Sequence, residues 1–289
     1  MNLSNKLYAI LLLIAIVFSG CTSDSEPQTD AGPTPETVPA IANAEQSASP
    51  EVSEESTECP TEMPQLLEVQ PGAHQLRYVS DDGNNFMEYY LYVPNNPSPN
   101  MPIIVFLHGS GEIGRVDLLE NYGIASVVKE IYGDDFPFLL LLPCTHMPSW
   151  NYNHVSRTLL ELIDSVAETY KADRSRICIT GHSLGSSGTW KMISLYSDYF
   201  SAAVPVSCGI DESIDFDSCA KVSIIAFSGT SGDAEKQYNT TMHNLVIKIN
   251  EAGGNAQMRI IEGADHEAMV TAAYTADLFE WMIAQKNGE

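Results

Sequence analysis

The sequence predicts an α/β domain: a mostly parallel sheet covered by helices on both faces, led into by an antiparallel N-terminal hairpin. Three observations carry this expectation. Continuous apolar runs of strand length recur at Pro102 to Leu107, Phe138 to Leu142, Ala202 to Val206 and Val222 to Phe227. Such runs suit strands buried on both faces. Helical patterns separate them, notably Asn153 to Tyr170, where Val155, Leu159, Leu162, Ile163 and Val166 share one stripe. Buried strands alternating with helices build a parallel sheet. The third observation is the stretch ICITGHSLGSSGTW at 177–190. An apolar strand there runs into Gly-x-Ser-x-Gly and then a helix-compatible segment, the context of a nucleophile elbow.

The chain opens with Lys6 and a twelve-residue apolar run, Leu7 to Phe18. That run is too short for a membrane span of about 20 residues and fits the core of an export signal. It ends in Phe18-Ser19-Gly20-Cys21, which resembles a bacterial lipobox. Residues 1–20 are therefore expected to be a signal peptide and Cys21 the lipidated N-terminus, so the membrane is an expected partner through this anchor. Residues 21–64 read as a disordered acidic tether rich in Ser, Thr, Pro and Glu. Ten acidic residues and no Lys or Arg fall in 22–64, and like charges with few large apolar groups do not drive compaction. The domain itself is expected over 65–289. A formal net charge of -24 argues against a nucleic-acid partner.

Within the domain, Gln75 to Ser80 and Phe86 to Val93 alternate around Asp81-Asp82-Gly83-Asn84, a hairpin pattern. A helix is expected over Glu235 to Glu251, stopped by Gly253-Gly254. A last strand follows at Met258 to Ile261 and a last helix at Glu267 to Ala284. The cysteines show no metal-ligand spacing, and no metal or organic cofactor is expected. Cys208 and Cys219 flank a short polar loop, which leaves a disulfide between them open.

The elbow sets the order in which its partners should appear: Ser183, then an acid, then a histidine. His266, in GADH between the last strand and the last helix, is the candidate base. Asp233, after the strand Val222 to Phe227, is the candidate acid, because its short side chain stays close to the strand end. Glu235 is the alternative. The amide of Leu184, after the nucleophile, and that of Ser110, in His108-Gly109-Ser110-Gly111, are the candidate oxyanion donors. His108, at the head of that loop, is a candidate substrate contact.

These segments (FLHGSGEIG, LLPCTHMPSWN, GHSLGSSGTW, FSAAVPVSCG, FSGT and GADH) resemble the α/β-hydrolase superfamily from about Leu76 to the C-terminus. The chain is most similar to the compact esterase branch with polyhydroxybutyrate depolymerase-like, feruloyl esterase-like and predicted-peptidase members. The resemblance implies an α/β-hydrolase fold, with Trp150 lining the substrate pocket and Trp190 in the core. It departs from the family pattern at Ser186, at Ser228 and by one inserted residue before Asp233. The expected function is a carboxylic-ester hydrolase outside the cytoplasm, acting on a small-molecule or polymer-linked ester. The alternatives are a serine peptidase or amidase and a non-catalytic surface binding lipoprotein.

Overall fold

The computed structural model describes residues 70–210 and 214–288. The chain divides into two units, Met1–Pro60 and Thr61–Glu289, and the described residues belong to the second. The expected signal peptide, Cys21 and the acidic tether lie outside the described residues.

The elements run in the order β1 (Gly72–Val79), β2 (Phe86–Val93), β3 (Ile103–Leu107), α1 (Ile124–Tyr132), β4 (Leu139–Cys144), α2 (Asn153–Tyr170) and β5 (Ile177–His182). They continue with α3 (Leu184–Leu195), β6 (Ala202–Val206), α4 (Phe216–Cys219), β7 (Ser223–Gly229), α5 (Asp233–Glu251), β8 (Ala256–Ile261), α6 (Met269–Ala272) and α7 (Ala276–Ala284). A 3₁₀ turn at Ser110–Glu112 follows β3. The eight strands form one sheet, ordered β1-β2-β4-β3-β5-β6-β7-β8. The hairpin β1–β2 joins it antiparallel to β4, and every other pairing is parallel.

Successive residues of a strand face opposite sides of a sheet, and the core divides accordingly. Ile103, Val105 and Leu107 face one apolar layer with Leu159, Leu162, Trp190 and Leu245. Ile104 and Phe106 face the other, with Ile124, Val128, Phe279 and Met282. The expected stripe of α2 is the buried one. The last helix differs from expectation: it breaks into α6 and α7, because the Thr275 hydroxyl accepts from the Leu278 amide and caps a fresh start.

The topology fixes where a site can form. After β3 the chain moves outward to β4, then returns to place β5 on the other side of β3. Loops leaving β3 and β5 therefore diverge and open a crevice at the carboxyl ends of the strands.

Candidate active site

Ser183 sits between the end of β5 and the start of α3 with φ 55° and ψ -116°. A serine in that region is strained, and the turn holds because strand and helix press together around it. A Cβ on Gly185 would lie 1.8 Å from the Leu107 carbonyl oxygen, and one on Gly181 would lie 2.4 Å from the Gly185 carbonyl oxygen. Only hydrogen fits at either place. The crossing keeps β5 and α3 in register, so the serine hydroxyl stands over the sheet end.

His266 comes to it from the loop after β8. Its Nε2 accepts from Ser183 Oγ at 2.9 Å. Its Nδ1–H donates to Glu235 Oε1 at 2.8 Å. The neutral imidazole is thus held in the tautomer that leaves Nε2 free to take the serine proton.

The acid is the correction to the sequence reading. Helix α5 begins at Asp233, two residues earlier than expected, with Asp233 at the first helical position. There its side chain is fully exposed and pairs with Lys236 at 3.4 Å. Glu235 falls on the inner face of the same turn and is 0% exposed. Its second oxygen, Oε2, accepts from the Gly229 amide at 2.6 Å, Ser228 Oγ at 3.0 Å and Ser207 Oγ at 3.1 Å. Burial pushes this carboxyl's pKa up, but the bonds from His266, Gly229, Ser228 and Ser207 outweigh that push and leave it lowered. Sequence reasoning missed Ser207 and treated Ser228 only as a departure from the family pattern. The available signal was a serine at each of two neighbouring strand ends.

The base and acid loops are tied together. The amides of Thr230 and Ser231 both donate to the Ala264 carbonyl. Thr230 Oγ1 accepts from the Gly263 amide and donates to Glu262. A Cβ on Gly229 would lie 2.2 Å from the Ala264 oxygen, which explains the glycine.

On the other flank, the loop after β3 reaches the nucleophile at Gly109. A Cβ there would lie 3.7 Å from that of Ser183. Ser110 opens the 3₁₀ turn beyond it, and Leu184 is the first residue of α3. The first amides of a helix have no intrahelical acceptor, so the Leu184 N–H remains available beside Ser183.

Two expected substrate contacts are braces instead. His108 is 0% exposed; its Nε2 accepts from the Thr145 amide, and Nδ1–H donates to the Gly109 carbonyl. Burial lowers its pKa to about 4, keeping it neutral. Trp150 is 1% exposed; its indole N–H donates to the His108 carbonyl, and its ring meets the His108 ring edge-on at 5.0 Å. Gly188 allows this, since a Cβ there would come within 2.6 Å of Trp150 Cβ. Both residues support the loop from below, where no substrate reaches. Trp190 is fully buried, with its N–H on the Cys208 carbonyl. Cys208 and Cys219 are free thiols.

An open cleft of about 450 Å³ adjoins the triad, lined by Asn151, Ser187, Gly209, Ile210, Gln237, Tyr238 and Thr241. Ser187 is one turn along α3 from Ser183, and the Tyr238 ring lies 5.3 Å from that of His266. Its wall is mainly apolar in area, with hydroxyl and amide groups set into it and no formal charge. Among the described residues, no group of three or more His, Cys, Asp or Glu side chains is placed to hold a metal ion.

Glu112, in the 3₁₀ turn, is 8% exposed, and its Oε2 has no hydrogen-bond partner among the described residues. Burial raises its pKa against the pull of the Tyr122 hydroxyl and the Gly109 and Glu112 amides, while the Glu267 charge adds to the rise. A carboxyl with a raised folded pKa costs stability once pH climbs above its unfolded pKa. Glu112→Gln is therefore expected to match the wild-type Tm near pH 4 and to exceed it above that, by a gap that opens with rising pH and levels off once the folded carboxyl is ionised. A thermal-melt series in which the gap closes with rising pH would contradict this.

Comparison with known proteins gives the same architecture. The chain superposes on a thermostable esterase with a TM-score of 0.57 and 24% identity, covering 74% of this chain and 63% of that one. It superposes on the acetyl xylan esterase of Aspergillus awamori with a TM-score of 0.55 and 17% identity, covering 73% and 98%. The chain has the α/β-hydrolase fold. In sequence, the chain is 29% identical to acetylxylan esterase A of Emericella nidulans over 159 residues, 49% of this chain and 51% of that one. The chain spans about half the length, or less, of the first curated relatives it matches. No family model matches the chain.

Proposed function

We propose that this protein is a serine hydrolase of carboxylic esters acting outside the cytoplasm. The observation that carries the proposal is the bonded series Ser183–His266–Glu235, in which a wholly buried carboxylate orients the base. The acetylxylan esterases among its relatives support the same reading, as does the open, uncharged cleft beside the triad.

In this mechanism Ser183 Oγ attacks the ester carbonyl carbon while its proton passes to His266 Nε2. The carbonyl oxygen gathers negative charge and is met by the amides of Leu184 and Ser110. Glu235 stabilises the imidazolium without taking its proton. His266 then protonates the departing alcohol, leaving an acyl-Ser183. Water, deprotonated by His266, releases the acid and restores the serine. Placement outside the cytoplasm rests on the expected export signal at 1–20 and the lipobox-like ending at Cys21.

A substrate panel tests the proposal: acetylated xylan, a feruloyl ester, p-nitrophenyl acetate and peptide p-nitroanilides. Turnover of one or more esters and labelling by a fluorophosphonate are expected. Faster cleavage of the anilides would make the protein a peptidase. A folded protein that neither labels nor turns over any substrate would be a binding module.

A further inference from the structure

His182, the last residue of β5, is 4% exposed. It adjoins the nucleophile in the chain, and the angle of the elbow keeps it from serving as the base. Its ring turns instead to the base loop. Nε2–H donates to the main-chain carbonyl of His266 at 2.8 Å, and the two rings lie 4.7 Å apart with 37° between their planes. Tyr238 of α5 also packs on His266, at 5.3 Å and 40°. Two rings thus contact the imidazole while its nitrogens are committed to Ser183 and Glu235.

We infer that His182 is a positioning residue for the general base, tying the backbone of His266 to the strand that presents Ser183. The inference rests on the hydrolase reading above, with His266 as the base. Its physical ground is the sheet order. Ser183 follows the central strand β5, whereas His266 follows β8 at the sheet edge, with β6 and β7 between them. The ladder alone fixes their spacing only through three successive pairings. His182 closes that distance with one short bond between a side chain of β5 and the base's own residue.

The ring also suits its place by staying neutral. With the proton on Nε2, Nδ1 is an acceptor with no partner among the described residues. Burial first, and then the His266 charge, hold the His182 pKa at about 4, while the Glu235 carboxylate of α5 pulls the other way. His182 therefore adds no second cation beside the imidazolium formed during turnover and does not compete for the serine proton.

The test compares two variants. His182→Phe keeps a ring against His266 and removes the donor, whereas His182→Gln restores an N–H at comparable reach. Turnover is normalised to fluorophosphonate-titratable sites, and the low-field proton of the His266–Glu235 bond is followed by NMR. H182F is expected to lower kcat by about ten- to a hundred-fold, the scale of a small misplacement of a reacting group, with KM unchanged. Its low-field resonance should shift or broaden, and H182Q should recover most of both losses. Wild-type kcat per titrated site in H182F overturns the inference. So does an H182F loss that H182Q does not recover while the resonance stays in place, because the role is then packing alone. The NMR arm needs no substrate, so failure of the wild type to hydrolyse any ester defeats the proposed function and still leaves this inference readable.

Discussion

Glu235→Gln is expected to cut kcat/KM by about 10⁴-fold, the scale of the analogous change in serine proteases, while the protein stays folded. The hydrogen-bond pattern explains why so isosteric a change is so damaging. The Gly229 amide, Ser228 and Ser207 all converge on Oε2. A glutamine must therefore put its carbonyl oxygen there and turn its NH₂ towards His266. That group offers only protons, so the imidazole must present a bare Nδ1 and carry its proton on Nε2. The base is then in the tautomer that cannot accept from Ser183. Asp233→Asn should leave turnover within about two-fold, because an exposed ion pair at the helix start contributes little. Steady-state kinetics on both variants check this directly. A large loss in the Asp233 variant beside normal turnover in the Glu235 variant would reverse the assignment.

Ser183→Ala should cost more, about 10⁶-fold in kcat, as removal of a triad nucleophile does elsewhere. The residual rate would come from the oxyanion donors and cleft acting on water. Ser183→Gly should be just as inactive and more stable than the alanine variant by about 1 kcal/mol. Alanine keeps the cost of a side chain at φ 55°, and glycine does not. Parallel rate and melting measurements on the pair separate the role of the hydroxyl from the strain of the turn. Activity near that of wild type in either variant would remove Ser183 from the chemistry.

The strands, the elbow and the base were legible because each leaves a local mark. Unbroken apolar runs such as Ile103–Leu107 admit few readings, and GADH between a strand and a helix places a histidine beside the elbow. The acid was not legible, because Asp233 and Glu235 lie two residues apart at a helix start. Which of them turns inward depends on where the first turn begins, and Gly232 at φ 85° sets that. Helix α1 escaped notice because IASVVKEIY is rich in β-branched residues and starts after Gly123 without a side-chain cap. His108 and Trp150 sit in the loops after β3 and β4, of the kind that lines pockets. Only packing reveals that they point inward: Trp150 lies on the bare face of Gly188, and His108 is buried against the Trp150 ring.

The edge position of β8 has a thermal consequence. This strand is laddered on one side only, to β7, and much of its outer face is exposed. Edge strands open at lower free energy than central ones. Transient fraying of β8 would carry His266 away while β5, the elbow and both apolar layers stayed intact. Competence is then a local equilibrium set above the global one. On warming, turnover is expected to fade before the core melts, and cooling from that interval to restore it without refolding.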